Sequence, residues 1–240
     1  MRACIAAGCA LALGCSYGLG ETPRTLPRGH VSGNTGMSMV FNRSDAERGG
    51  VGLHNLAPQL GPLRVGVAPH VDVGLATLFG LGFRADVKVS PTRPTLPFAF
   101  AVRAGGGAAG DTSSRNLAMA FAGVLASYTF GVVEPYLGAT FANHWIYYGQ
   151  AALPPGSLAP GERYASRQGY GDGLVELTVG LRVSVSTWGS VSFEYSRWQP
   201  AQDDPGDFYR FVANDIASLG LCVGCWTRAD ALAAAGVGTR

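Results

Sequence analysis

The sequence predicts an all-β fold, an antiparallel up-and-down transmembrane β-barrel of about ten strands, behind an N-terminal signal peptide and a short tether. Three observations carry this. From His30 onward apolar and polar residues alternate with a period of two almost throughout. The connections sort into long and short by parity, as in barrels with short turns on one side of a membrane and longer loops on the other. No apolar run of about 18 residues follows the N-terminus, so a spanning helix is unavailable and only a closed barrel satisfies the backbone in lipid.

Composition agrees with one large β-domain in 240 residues. Charged residues make up 14% of the chain, well below the roughly 25% of an ordinary soluble domain. Of the 18 basic residues only Lys88 is lysine, and the net charge of +2 is spread along the chain. No basic patch forms, so nucleic acid is not expected as a partner.

The N-terminal residues MRACIAAGCALALGC read as a signal peptide over 1–14. Arg2 supplies the positive start, and Ala3 to Leu13 form an apolar run too short to span a bilayer. The ending Leu-Ala-Leu-Gly-Cys resembles the lipobox of bacterial lipoproteins, which implies lipid attachment at Cys15. Ala12 stands where the lipobox prefers leucine, and ordinary signal cleavage near Ala12 or Gly20 is the alternative. Residues 15–29, with Pro23 and Pro27, are expected to form an extended periplasmic tether.

The barrel is expected over 30–226, with a C-terminal tail over 227–240. Strands are predicted at 30–42, 62–68, 71–78, 81–89, 96–107, 115–129, 132–148, 171–185, 188–200 and 210–225. The eighth is the cleanest: Val175, Leu177, Val179, Leu181, Val183 and Val185 alternate with Glu176, Thr178, Gly180, Arg182 and Ser184. Connections 43–61, 108–114, 149–170 and 201–209 are long or polar, with a tight turn around Phe79-Gly80 as the exception. Pro69-His70, Ser90 to Thr95, Phe130-Gly131 and Ser186-Thr187 are short. Aromatic residues are expected in two interfacial belts. Trp145, Tyr147, Tyr148, Trp198 and Tyr209 would form one, and Tyr128, Phe130, Trp188 and Trp226 the other.

In LGFRADVKV, residues 81–89, three charges share one strand face. In a lipid-immersed barrel that face must point inward. Across all strands it collects Arg64, Arg84, Lys88, Arg103 and Arg182 against Asp72, Asp86, Glu134, Glu176 and Glu194. Buried charges must be paired, so the matched signs predict a filled lumen tying strands four, seven, eight and nine together. Ala118, Ala120, Ala122 and Ala126 of strand six are expected on this face, leaving room for long arginines. Barrels of about eight strands are just wide enough for side chains to fill, which disfavours an open pore.

Residues 15 to 226 resemble small outer-membrane β-barrel lipoproteins of Gram-negative bacteria. Arg24-Thr-Leu-Pro-Arg-Gly29 and the hairpin LRVGVAPHVDVGL carry the likeness, together with the lipobox-like start. The resemblance implies outer-membrane lipids and the barrel assembly machinery as partners. Such barrels commonly end in an aromatic residue, whereas here TRADALAAAGVGTR follows Trp226.

Chemistry is sparse. His30 and His70 are expected at the short-turn end, His54 in an outer loop, and His144 facing inward near the outer end of strand seven. No catalytic residue is assigned among them. Asp203, Asp204 and Asp207 lack calcium-loop spacing, and neither metal nor cofactor is expected. Cys222-Val-Gly-Cys225 lacks the βαβ context of a redox motif. On a regular strand the pair stands about 10 Å apart, too far for a disulfide; a turn at Cys222 would restore a structural one. The function expected is a structural or interaction barrel displaying loops 43–61 and 149–170 to an extracellular ligand. The alternatives are a small-solute or hydrophobic-compound transporter, or a barrel enzyme acting on lipid.

Overall fold

Period-two segments rich in valine, leucine and phenylalanine form ten strands, because alternation suits a wall with a different medium on each side. The computed structural model describes residues 20–42, 56–78, 82–110, 115–148, 172–201 and 214–235. The strands are β1 (Val31–Asn42), β2 (Leu56–Ala68), β3 (Val71–Leu78), β4 (Gly82–Val89), β5 (Phe98–Gly110), β6 (Arg115–Tyr128), β7 (Val133–Tyr148), β8 (Asp172–Ser186), β9 (Gly189–Pro200) and β10 (Asn214–Val223). Each pairs antiparallel with its neighbours in sequence, and β1 pairs with β10 to close the barrel. Closure leaves no sheet edge to expose unpaired backbone groups. Among the described residues, no helix is long and apolar enough to cross a membrane.

Outside and inside are opposite in character. Leu63, Leu75, Phe83, Leu137, Val179 and Leu221 stand exposed on the outer face, while charged residues between them are buried. An apolar exterior around an ionised interior is the pattern of a barrel bathed in lipid.

Two local expectations change. Strand two begins at Leu56 rather than near Pro62, so the connection expected over 43–61 ends earlier. A proline lacks the N–H for a ladder bond but is tolerated at a bulge, and a register shift between Gly33 and Thr35 lies across from it. Strand six is also turned over. Met119, Phe121, Leu125 and Ser127 face the lumen, whereas Ala120 and Ala122 are exposed on the outside. Both faces of β6 are apolar, so alternation alone could not orient it.

Past β10, Gly224 adopts φ +71°, a left-handed conformation that favours glycine. The turn brings the Cα atoms of Cys222 and Cys225 to 5.9 Å, and the two form a disulfide. The regular-strand geometry that would have kept them apart ends at Val223. A short helix follows, α1 (Arg228–Ala234), opened by a capping box in which Thr227 and Asp230 satisfy each other's backbone N–H groups. Arg228 Nε donates to the Thr95 carbonyl at 2.8 Å, tying the helix to the β4–β5 connection.

Candidate functional site

The site is the lumen, and its occupant is the chain's own N-terminal segment. The segment expected to be an extended periplasmic tether is instead buried inside the barrel from Gly20 to Leu26. It turns back at the short-turn end, where Gly29 N donates to Gly66 O at 2.8 Å and Gly66 N to His30 O at 3.0 Å. A side chain at position 66 would collide with the Pro27 carbonyl, so glycine there lets the segment lie against the wall. Without apolar periodicity the segment carries no strand signal. It is held by polar contacts.

The ten charges expected to point inward are all buried: Arg64, Asp72, Arg84, Asp86, Lys88, Arg103, Glu134, Glu176, Arg182 and Glu194. Seven of them, Arg64, Asp72, Asp86, Lys88, Arg103, Glu134 and Arg182, group around two residues of the N-terminal segment, Glu21 and Arg24. In the first group Arg64 is the hub. Its Nε bonds Glu21, its Nη1 reaches Asp72 Oδ1 at 2.5 Å, and its Nη2 pairs with Asp86. Arg103 Nη1 meets the other Glu21 oxygen at 2.8 Å, and its Nη2 donates to Thr140 Oγ1 at 2.7 Å. Lys88 Nζ lies 3.4 Å from Asp72 Oδ2 and donates to the carbonyls of Thr22 and Arg24 at 3.1 and 2.9 Å. Burial by itself would push the Glu21 carboxyl up, but Arg64, Arg103 and Lys88 together hold it far below the usual carboxylate range.

The second group lies at the short-turn end. Glu134 of β7 accepts from Arg24 Nε at 3.0 Å, from Ser127 Oγ at 2.6 Å, and from Arg182 of β8. The rest of the Arg24 guanidinium donates to the carbonyls of Pro94, Leu96 and Pro97 at 2.8, 3.0 and 3.0 Å. It also donates to Thr129 Oγ1 at 2.8 Å. A planar fork with five donors suits such a ring of acceptors. Burial lowers the Arg24 pKa, against the pull of Glu134.

These ion pairs join β2, β3, β4 and β5 in one group and β7 with β8 in the other. The N-terminal segment bridges the two groups. Glu194 accepts from Tyr136 Oη at 2.9 Å and from Gly20 N at 3.1 Å. Glu176 accepts from Trp198 Nε1 at 3.1 Å. Trp198 thus belongs to the lumen and not to the outer aromatic belt, since its indole N–H finds a partner only inward. Phe121 lies between guanidiniums, 5.7 Å from Arg84 and 5.9 Å from Arg103.

At the short-turn end Tyr128, Phe130 and Trp188 are exposed as an interfacial belt, while Trp226 packs edge-on against His30 at 5.2 Å. His144 is buried on the inner face of β7. Cys15, His54, Tyr209 and Asp203, Asp204 and Asp207 lie outside the described residues, as do most of the loops over 43–61 and 149–170. One signal in the sequence pointed to the plug. GETPRTLPRG places opposite charges three residues apart in a proline-stiffened stretch, next to a barrel with many charges to match.

A closed ten-stranded barrel with an apolar exterior and ion pairs inside defines the class: a membrane-type β-barrel whose lumen holds residues 20–26 of its own chain. No protein-family model matches the chain, and no curated protein sequence matches it. Solved structures similar to it include the N-terminal β-barrel domain of Pseudomonas aeruginosa OprF, at 10% identity and a TM-score of 0.37, with 82% of this chain covering 97% of that one. The outer membrane protease OmpT of Escherichia coli is similar at 10% identity and a TM-score of 0.37, with 84% covering 97%. A loop-deletion mutant of the Vibrio cholerae outer membrane protein OmpT is similar at 10% identity and a TM-score of 0.34, over 69% of this chain. The chain spans 46% of the length of that last structure.

Proposed function

We propose that the chain is an outer-membrane β-barrel, closed to free diffusion by its own N-terminal segment, with a structural or interaction role exerted through its long outer loops. One observation carries the reading. The lumen holds a segment whose Glu21 and Arg24 are each matched to charges on the wall. Unpaired interior charges are costly where water is scarce, so a wall and plug of matched sign favour a solid interior over a bore. The apolar exterior supports residence in lipid, with assembly by the barrel machinery and loops 43–61 and 149–170 as the surface for an extracellular ligand.

Planar-bilayer recording of the purified protein tests this, with no steady porin-like conductance expected. Large, stable, ohmic channels would replace this reading with passage of a small solute. The lipobox-like Leu-Gly-Cys supports lipid attachment at Cys15. Mass spectrometry of the mature N-terminus should find an acylated cysteine, and an unmodified peptide beginning at Ser16 or later would refute it. The reading is non-enzymatic; lipid hydrolysis that is lost on replacing His144 would overturn that part.

A further inference from the structure

The carboxylate of Glu21 sits as a ligand sits. Its two oxygens are divided between two guanidiniums from different strands, Oε1 to Arg64 of β2 and Oε2 to Arg103 of β5. Both arginines are anchored without it. Arg64 gives its other two nitrogens to Asp72 and Asp86. Arg103 is fixed by Thr140 Oγ1 and by the face of Phe121. Lys88 adds positive charge beside them while holding two carbonyls of the segment. The wall thus preorganises two convergent donors on one planar, two-oxygen acceptor.

We propose that Arg64 and Arg103 form a carboxylate-binding site in the lumen, that Glu21 occupies it as a built-in ligand, and that a free compact carboxylate takes the site when the Glu21 side chain is withdrawn. This goes beyond a closed barrel, because it assigns the lumen a ligand chemistry. The segment's backbone has attachments of its own, at Glu194 through Gly20, at Lys88 through Thr22 and Arg24, and at Asp72 through Leu26. Truncating Glu21 to alanine therefore vacates the site while leaving the segment held. The space released has the shape of a carboxylate on one carbon, which is acetate. Chloride is a single sphere with no pair of oxygens to divide between two guanidiniums, and sulfate is tetrahedral.

The test uses the full chain in detergent, comparing wild type, E21A and the double variant E21A/R103Q. The reading is the temperature at which the folded band converts to the unfolded one on gels. E21A should convert at a lower temperature than wild type. Acetate should raise it saturably. Chloride and sulfate at matched ionic strength should not, and neither wild type nor E21A/R103Q should respond to acetate. Equal effects of acetate and chloride on E21A, or an equal acetate effect in all three proteins, would overturn the proposal. Should E21A fail to fold in chloride, refolding from urea in acetate reads the same site. Recovery in acetate alone supports the proposal, and no recovery in any salt refutes it.

Discussion

Val179 and Thr178 are neighbours on β8, yet Val179 is 58% exposed on the outer face while Thr178 turns inward and shares a hydrogen bond with Ser196 Oγ at 2.9 Å. The same contrast divides the whole wall. On the outer face each side chain meets lipid independently, so the cost of a substitution is a transfer cost graded by depth. On the inner face it depends on who is left behind, because charges there are shared among three or four partners. The outer face tolerates any apolar residue; the lumen requires particular ones.

The largest effect should come from the lumen's hub. Replacing Arg64 by alanine leaves Glu21, Asp72 and Asp86 without the cation they share, and breaking a buried pair typically costs about 3–5 kcal/mol. Urea unfolding in lipid vesicles should show at least that loss. Lysine should not restore stability, since a point charge cannot reach three carboxylates as a fork does. A loss under about 1 kcal/mol would mean that the lumen is hydrated enough to screen these charges, and the contrast between faces would fail.

Next is the pair that opened the comparison. Val179→Arg should cost roughly 2–4 kcal/mol if it lies near the bilayer midplane, and Thr178→Arg less, because the inward face offers carboxylates. Folding yield into vesicles ranks them. Equal tolerance, or the reverse order, would exchange the two faces.

Smaller is the release of the segment's latch. Arg24→Gln removes the charge-assisted bond to Glu134 while Arg182 remains on that carboxylate. Hydrogen bonds to charged groups contribute about 1.5–3 kcal/mol. Brief current openings should appear in bilayer recordings where wild type shows none, with folding preserved. Silent recordings from a folded variant would assign the seal to the first group instead.

The smallest is a pH effect. Glu21 has a folded-state pKa depressed below its ordinary value of 4.5. Its contribution is therefore complete above that value and is lost as pH falls through the folded one. The charged groups around it are Arg64, Arg103 and Lys88, with Asp72 and Asp86 behind. Unfolding midpoints attributable to Glu21 should be flat from pH 7 to 5 and decline below 4.5. The difference between wild type and Glu21→Gln should shrink with them; a difference that is constant with pH would show that the carboxylate charge contributes nothing.

The residue pattern by itself determined the wall. Period-two alternation selects strands, and loop parity orders them up and down. With lipid as one solvent, the polar face can only point inward, which places Arg84, Asp86 and Lys88 in the lumen without coordinates. That logic is local, since each residue's side follows from its neighbour's. It failed where locality gave no contrast, as on β6 with apolar residues on both faces, and at Trp198, whose amphipathic ring suits either a belt or a lumen partner.

Only the tertiary structure decided who meets whom. Strand register, not spacing in sequence, sets Arg64 against Asp72 and Asp86 and sets Glu134 against Arg182. The turn at Gly224 that joins Cys222 to Cys225 depends on where β10 ends. The fate of residues 20–26 depends on even more distant facts. A segment with one proline, one acid and one base reads as solvated chain until the barrel closes. Closure then presents it with a low-dielectric interior, in which Glu21 and Arg24 have partners 43 to 110 positions away in sequence.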